Sequence, residues 1–362
     1  RAVAAGATDA LPATVLAMVE ARLAALPAEA RRVLRAASVF GETFWAGGVV
    51  ALLGGAAASD GAREWLRALV DREVLVHGAA PRFLGEEEYV FRHTLLREGA
   101  YATLTESNRV LGHRLAGDWL EQQGEREPMV LAQHFERGGE LRRAAGWYGS
   151  AAELAMEGND FATVLERTAR AMACGAEGEA LGALWLLTAE ARRWRGEITD
   201  AETAGREAMR WLPVGSRAWF GAAAEVAVAS GRLGHHELLT SLATELSAVR
   251  ERGGRIGGPQ VIAMARTALQ LLYAGRYELA DGLLERIELQ ATRFATHDPR
   301  VAARIYAAQA TREKVSGDPG SYLGLQGAAA ESFEQAGDLR SALAQRNNVG
   351  FACLELGAYA DA

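Results

Sequence analysis

The sequence predicts a mostly α-helical chain interrupted by one short β-prone stretch, and three observations carry that prediction. Alanine, leucine and arginine dominate, proline occurs only 8 times in 362 residues, and Lys314 is the sole lysine among 39 basic residues. Such residues are good helix formers, and β-branched runs are rare. Glycine or a turn cluster then recurs after apolar helical stretches at Gly158, Gly196, Gly231, Gly275, Gly317 and Gly357, at intervals of 38, 35, 44, 42 and 40 residues. Finally, the β-prone residues are confined to the region between about Val74 and Arg92.

Taken in order, Ala28 to Val39 carries Val33, Leu34 and Ala37 on one helical face. Trp45 to Leu53 forms a second helical stretch, and Asp60 to Asp71 a third, with Trp65, Leu66, Leu69 and Val70 at amphipathic spacing. Two short strands follow, Val74 to His77 and Tyr89 to Arg92, joined through Gly78 to Pro81 and Gly85 to Glu88. Three helices and then a β-hairpin is the order of a winged helix, with the hairpin as its wing. Tyr101, Leu104, Leu111, Leu115 and Trp119 continue at helical spacing and read as a core stripe.

Beyond about Pro128 the drifting period matches stacked helical hairpins. In the last segment Asn348, Gly350, Cys353, Leu356, Gly357, Tyr359 and Ala362 follow the tetratricopeptide consensus offsets. The sets Ala189, Gly196, Ile198, Ala201, Ala208 and Ala268, Gly275, Tyr277, Ala280, Ile287 repeat the logic. Small residues on paired helices permit close packing, and the residue after the turn is expected to plug the seam. Trp147, Tyr148, Phe161, Trp185, Trp194, Trp211, Trp219 and Phe220 read mostly as seam residues, one or two of them lining a concave ligand face. The expected architecture is thus a winged-helix domain followed by an α-solenoid of tetratricopeptide-like hairpins.

Composition narrows the function. A net charge of −7 argues against holding nucleic acid by bulk electrostatics. The helix Asp60 to Glu73 sets Arg63, Arg67 and Arg72 against four acids, and Glu86, Glu87 and Glu88 read as a charged hairpin tip. A reader of phosphate-lined grooves needs the opposite sign on both elements. Cys174 and Cys353 stand far apart without metal-ligand spacing, which fits a reducing cytoplasm. The longest uncharged stretch, Trp45 to Ala58, has 14 residues, short of the roughly 20 that a membrane helix needs. Phosphate-loop, nucleophile-elbow, zincin and kinase motifs are absent from the sequence. Gly253 to Gly258 reads as an inter-helix loop, and His235-His236-Glu237 as a solvated helix start rather than a metal site. No metal, no cofactor and no catalytic residue is expected within this chain.

Leu11 to Leu23, Leu26 to Gly41 and Tyr89 to Tyr101 together carry a resemblance. They resemble the region downstream of the nucleotide-binding core in the signal-transduction ATPases with numerous domains. The likeness is to bacterial multidomain regulators in which that P-loop ATPase is joined to a serine/threonine kinase, a nucleotide cyclase or a LuxR-type activator. It implies the end of an ATPase lid at 1–26, a winged helix at 27–125 and a repeat array at 126–362, cut before its C-terminal cap. It also implies a cytoplasmic, non-catalytic regulatory region. Its partners would be the upstream nucleotide-binding module in cis and a protein or small-molecule effector on the array, with ATP or ADP bound by the parent protein. Arg92-His93-Thr94 is similar to the Met-His-Asp motif of related ATPases, which makes His93 a candidate contact to the phosphate of ADP. His93 falls where a strand gives way to a helix, a place that attracts anions. The alternatives are a histidine that merely caps this helix or packs beside Phe91 and, for the whole chain, a transcription regulator that binds DNA through the winged helix. An α-helical enzyme with an unrecognised site is a third reading.

Overall fold

The computed structural model describes residues 21–79, 81–249, 256–295 and 298–360. Most of the 1–26 segment, Gly253-Gly254 and Ala362 therefore lie outside the described residues. The chain is mostly helical with one three-stranded antiparallel sheet. It forms two compact units, residues 1–151 with 173–175, and 152–172 with 176–362.

In the first unit, helix α1 (Ala28–Phe40) buries Ala30, Val33, Leu34 and Ala37, the face its apolar spacing predicts. Strand β1 (Thr43–Trp45) leads into α2 (Ala46–Leu53), and α3 (Ser59–Asp71) buries Ala62, Leu66 and Leu69. Strands β2 (Leu75–His77) and β3 (Glu88–Phe91) complete the sheet in the order β1-β3-β2. The expected hairpin is present, with Val76 opposite Val90, but β1 adds a third strand that pairs Phe44 with Tyr89. Three residues are too few to show a period of two, so β1 was invisible to the pattern. Phe44, Tyr89 and Phe91 stack at 5.3–5.9 Å and anchor the sheet on α1 and α3.

The three glutamates of the hairpin are partnered, not a solvated tip. Glu86 Oε2 accepts from the Gly47 backbone N–H at 2.9 Å, at the positive end of α2. A side chain on Gly47 would collide with that carboxylate. Glu88 Oε2 accepts from the Trp45 indole at 3.0 Å, and Glu87 pairs with Arg63 and Arg67 of α3 at 3.6 Å. Helices α4 (Thr94–Ala102), α5 (Glu106–Gln122), α6 (Pro128–Arg137) and α7 (Leu141–Glu157) follow. The α5 stripe departs from expectation: Trp119 is buried, but Leu111 is exposed and Leu104 and Leu115 only partly covered. The face that packs is Gly112, Ala116 and Gly117, whose lack of bulk admits Val39 and Phe135. Leu104, Leu111 and Leu115 instead line a shallow cleft of about 220 Å³ beside Arg32 and Arg35.

After α8 (Phe161–Ala173), the second unit runs through α9 (Gly178–Trp194), α10 (Ile198–Trp211), α11 (Arg217–Leu233), α12 (His236–Ala248) and α13 (Gly258–Tyr273). It ends with α14 (Tyr277–Ala295), α15 (Pro299–Ser316), α16 (Pro319–Gln335) and α17 (Leu339–Glu355). Consecutive helices pack on each other, and α9, α11, α13 and α15 also lie side by side. Trp219, Phe220, Leu239, Leu246, Met264, Leu271, Ile287 and Val301 belong to one continuous core. Ala189, Ala201, Ala208, Ala268 and Ala280 are fully buried, as close helix pairing requires. Tyr277 and Tyr359 do not plug seams: they are 46% and 76% exposed. Each follows directly on a turn and projects from it, while Ala280 and Ile287 take the seam of α14. Gly231 is likewise not a turn but lies inside α11, where it packs on the Gln270 side chain. The turn falls at Gly234, whose φ of 73° is the left-handed conformation that glycine adopts without strain.

Candidate functional site

His93 is the extended residue (φ −137°, ψ 124°) immediately before α4, with an exposed side chain that makes no capping bond. Its backbone carbonyl accepts from the Leu96 N–H at 2.9 Å. Thr94 Oγ1 donates to Glu42 Oε1 at 2.5 Å, and Arg92 pairs with Glu73 at 3.5 Å. His93 thus stands exposed at the start of α4, flanked by Arg92 and Thr94. It does not cap its own helix.

His235 and His236 diverge. The His235 Nδ1 lies 3.0 Å from both oxygens of Glu202, which also accepts from Ser230 Oγ at 2.6 Å. Among the described residues no group of three or more His, Cys, Asp or Glu is placed to hold a metal ion. Neither cysteine is in a disulfide. In the first unit, Tyr101 Oη lies 2.8 Å from His113 Nε2, and His113 Nδ1 lies 3.1 Å from His134 Nδ1. Burial and then the neighbouring charge hold this pair neutral, His113 down at about 3 and His134 at about 4.

The densest collection of charge lies in the second unit and was not singled out from sequence. Glu225 of α11 is bound by Arg193 of α9 at 2.5 Å and by Arg266 of α13 at 2.7 Å. The Glu225 side chain is 6% exposed and each arginine side chain 14%. Burial alone pushes the Glu225 carboxyl up, but the two guanidiniums outweigh it and hold the pKa at about 2. Arg304 of α15 adds a third guanidinium, lowered to about 10 by burial and by repulsion from Arg266 and Arg193. It reaches the start of α17, donating to Ser341 Oγ at 3.2 Å and lying 3.8 Å from Asp338.

Arg340, in the first turn of α17, completes the group. Its Cζ lies 4.7 Å from the Trp194 ring centroid and 5.2 Å from that of Phe161. Arg193 stacks on the same indole at 4.4 Å, and Arg304 on Phe333 at 4.6 Å. Phe161 and Trp194 are nearly parallel, 7° apart in plane. Two donors here, Arg340 Nη1 and Trp194 Nε1, are buried without any hydrogen-bond partner. A sequence signal did exist: Glu225, Arg266 and Arg304 are each a lone charge inside an apolar run, as in Ala222-Ala223-Ala224-Glu225-Val226-Ala227. Such a charge must either break the helix packing or find a buried partner.

Glu225 is held ionised between two cations, and around it lie guanidiniums, aromatic rings, the Asp338 carboxylate and the Ser341 hydroxyl. No family model matches the chain, and no curated protein matches it. No helix among the described residues is long and apolar enough to cross a membrane.

Proposed function

We propose that this chain is a non-catalytic regulatory region of a signal-transduction ATPase with numerous domains. In this reading residues 27–125 are a winged helix that packs on a nucleotide-binding module upstream. Residues 126–362 are a tetratricopeptide-like array that receives an effector in the cytoplasm. The observation that carries the reading is the cluster contributed by α9, α11, α13, α15 and α17, a buried arginine-rich site with unsatisfied donors. Effector binding would bias the nucleotide state only through different affinities for its two states. The pairing of Arg63 and Arg67 with Glu87 supports a protein-facing winged helix over a DNA-reading one, since it neutralises the arginines of α3.

His93 would then contact the phosphate of ADP bound by the upstream module. His93→Ala in the full-length protein is expected to weaken ADP retention by about tenfold, the value of one charged hydrogen bond. Unchanged ADP affinity overturns the assignment. The upstream reading frame should encode GxxxxGK[ST] after an apolar strand; a frame without it removes the nucleotide reading altogether.

A further inference from the structure

We propose that the cluster of Arg193, Arg266, Arg304 and Arg340 with Trp194 binds the phosphate monoester group of a small ligand, which deepens the effector reading above. Charge is the first argument. Four guanidiniums face two carboxylates, Glu225 and Asp338, so the group carries an excess of two positive charges. Like charges gathered in surroundings of low dielectric repel strongly, and helix packing alone does not require them there. A dianion cancels the excess, and a phosphate monoester carries close to two negative charges at neutral pH. A single carboxylate leaves one guanidinium uncompensated.

Hydrogen bonding is the second argument. Arg340 Nη1 and Trp194 Nε1 are both donors, both buried and both unpartnered, and the Arg340 Cζ lies 4.7 Å from the indole centroid. A buried unpaired donor costs free energy that an acceptor oxygen recovers. Three phosphate oxygens can take the indole N–H and the guanidinium forks together. Glu225 meanwhile fixes Arg193 and Arg266 in place, so the site is preorganised before the ligand arrives.

The test uses the full chain, with calorimetric titration and thermal unfolding in phosphate-free buffer. Inorganic phosphate and phenyl phosphate are the probes, and succinate is the dicarboxylate control. Binding of at least one phosphate probe, with a raised unfolding midpoint, is expected. Phenyl phosphate binding more tightly identifies an ester ligand, whereas free phosphate binding at least as well identifies the ion itself, which retains the oxyanion site but overturns the ester. Arg340→Gln and Arg304→Gln should each weaken binding about tenfold or more. Without ligand Arg340→Gln should unfold at or above the parent temperature, because it removes a guanidinium with an unpartnered buried nitrogen and relieves repulsion. A purely structural arginine would lower that midpoint instead. Absence of binding by both probes at about 10 mM, succinate binding as well as phosphate, or full binding retained in both variants overturns the proposal. A reading frame without a P-loop beside intact phosphate binding would sink the ATPase reading alone.

Discussion

Glu225 illustrates how one residue can hold several helices in register. With the carboxylate gone, Arg193 and Arg266 would be left as unpaired, mostly buried cations. Breaking a buried pair in this way costs about 3–5 kcal/mol. Glu225→Gln is therefore expected to lower the stability of the second unit by that amount, read by urea unfolding. A change under about 1 kcal/mol would mean the pair is solvated like a surface bridge. The His113–His134 pair gives a pH signature in the first unit. Both histidines are depressed below 6.5, so the unfolded chain binds more protons than the folded one between about pH 4 and 6.5. Their contribution is complete above about pH 6.5 and is lost as the pH falls toward 4. Unfolding midpoints measured from pH 7.5 to 4.5 should fall, and His134→Gln should flatten that slope.

Among the helices, small residues decide how closely neighbours approach. A Cβ on Gly205 of α10 would sit 2.8 Å from Val226 Cγ2 of α11, inside any real contact. Gly205→Val is expected to destabilise by about 1–3 kcal/mol through overpacking. Gly282 of α14 is a contrasting case, exposed and with open space around the added atom. Gly282→Ala should stabilise by about 0.5–1 kcal/mol, because the backbone entropy of glycine is lost at no steric cost. Thermal unfolding of the two variants side by side distinguishes packing from propensity. The hairpin glutamates work by the same local logic: Glu86 at the start of α2, Glu87 on α3 and Glu88 on the Trp45 indole tie the hairpin to the neighbouring elements.

Over the whole molecule, charge sets what the surface can hold. A net charge of −7, with the α3 arginines committed to Glu87, leaves little positive field for a phosphate backbone. Electrophoretic mobility of a DNA duplex should be unchanged by the full chain at about 50 mM salt, where phosphate contacts are strong. A salt-sensitive shift would restore the DNA-binding alternative.

What the sequence determined by itself was local. Amphipathic spacing placed α1 and α3 and their buried faces, β-propensity placed β2 and β3, and the recurrence of glycine placed most turns of the array, because each depends on neighbours a few residues apart. It also placed His93 at a strand-to-helix junction, which the backbone adopts. Tertiary structure decided the rest. Phe44 pairs with Tyr89 across 45 residues, and Glu225 meets Arg193 and Arg266 across 32 and 41. No local period encodes such separations. Gly231 became a helix-packing position and Gly234 the turn, since the Gln270 side chain on a later helix occupies the space a Cβ at Gly231 would need. The partners of a buried charge come from helices that only the packed array brings together, and so the site emerges with the packing rather than from any one segment of the chain.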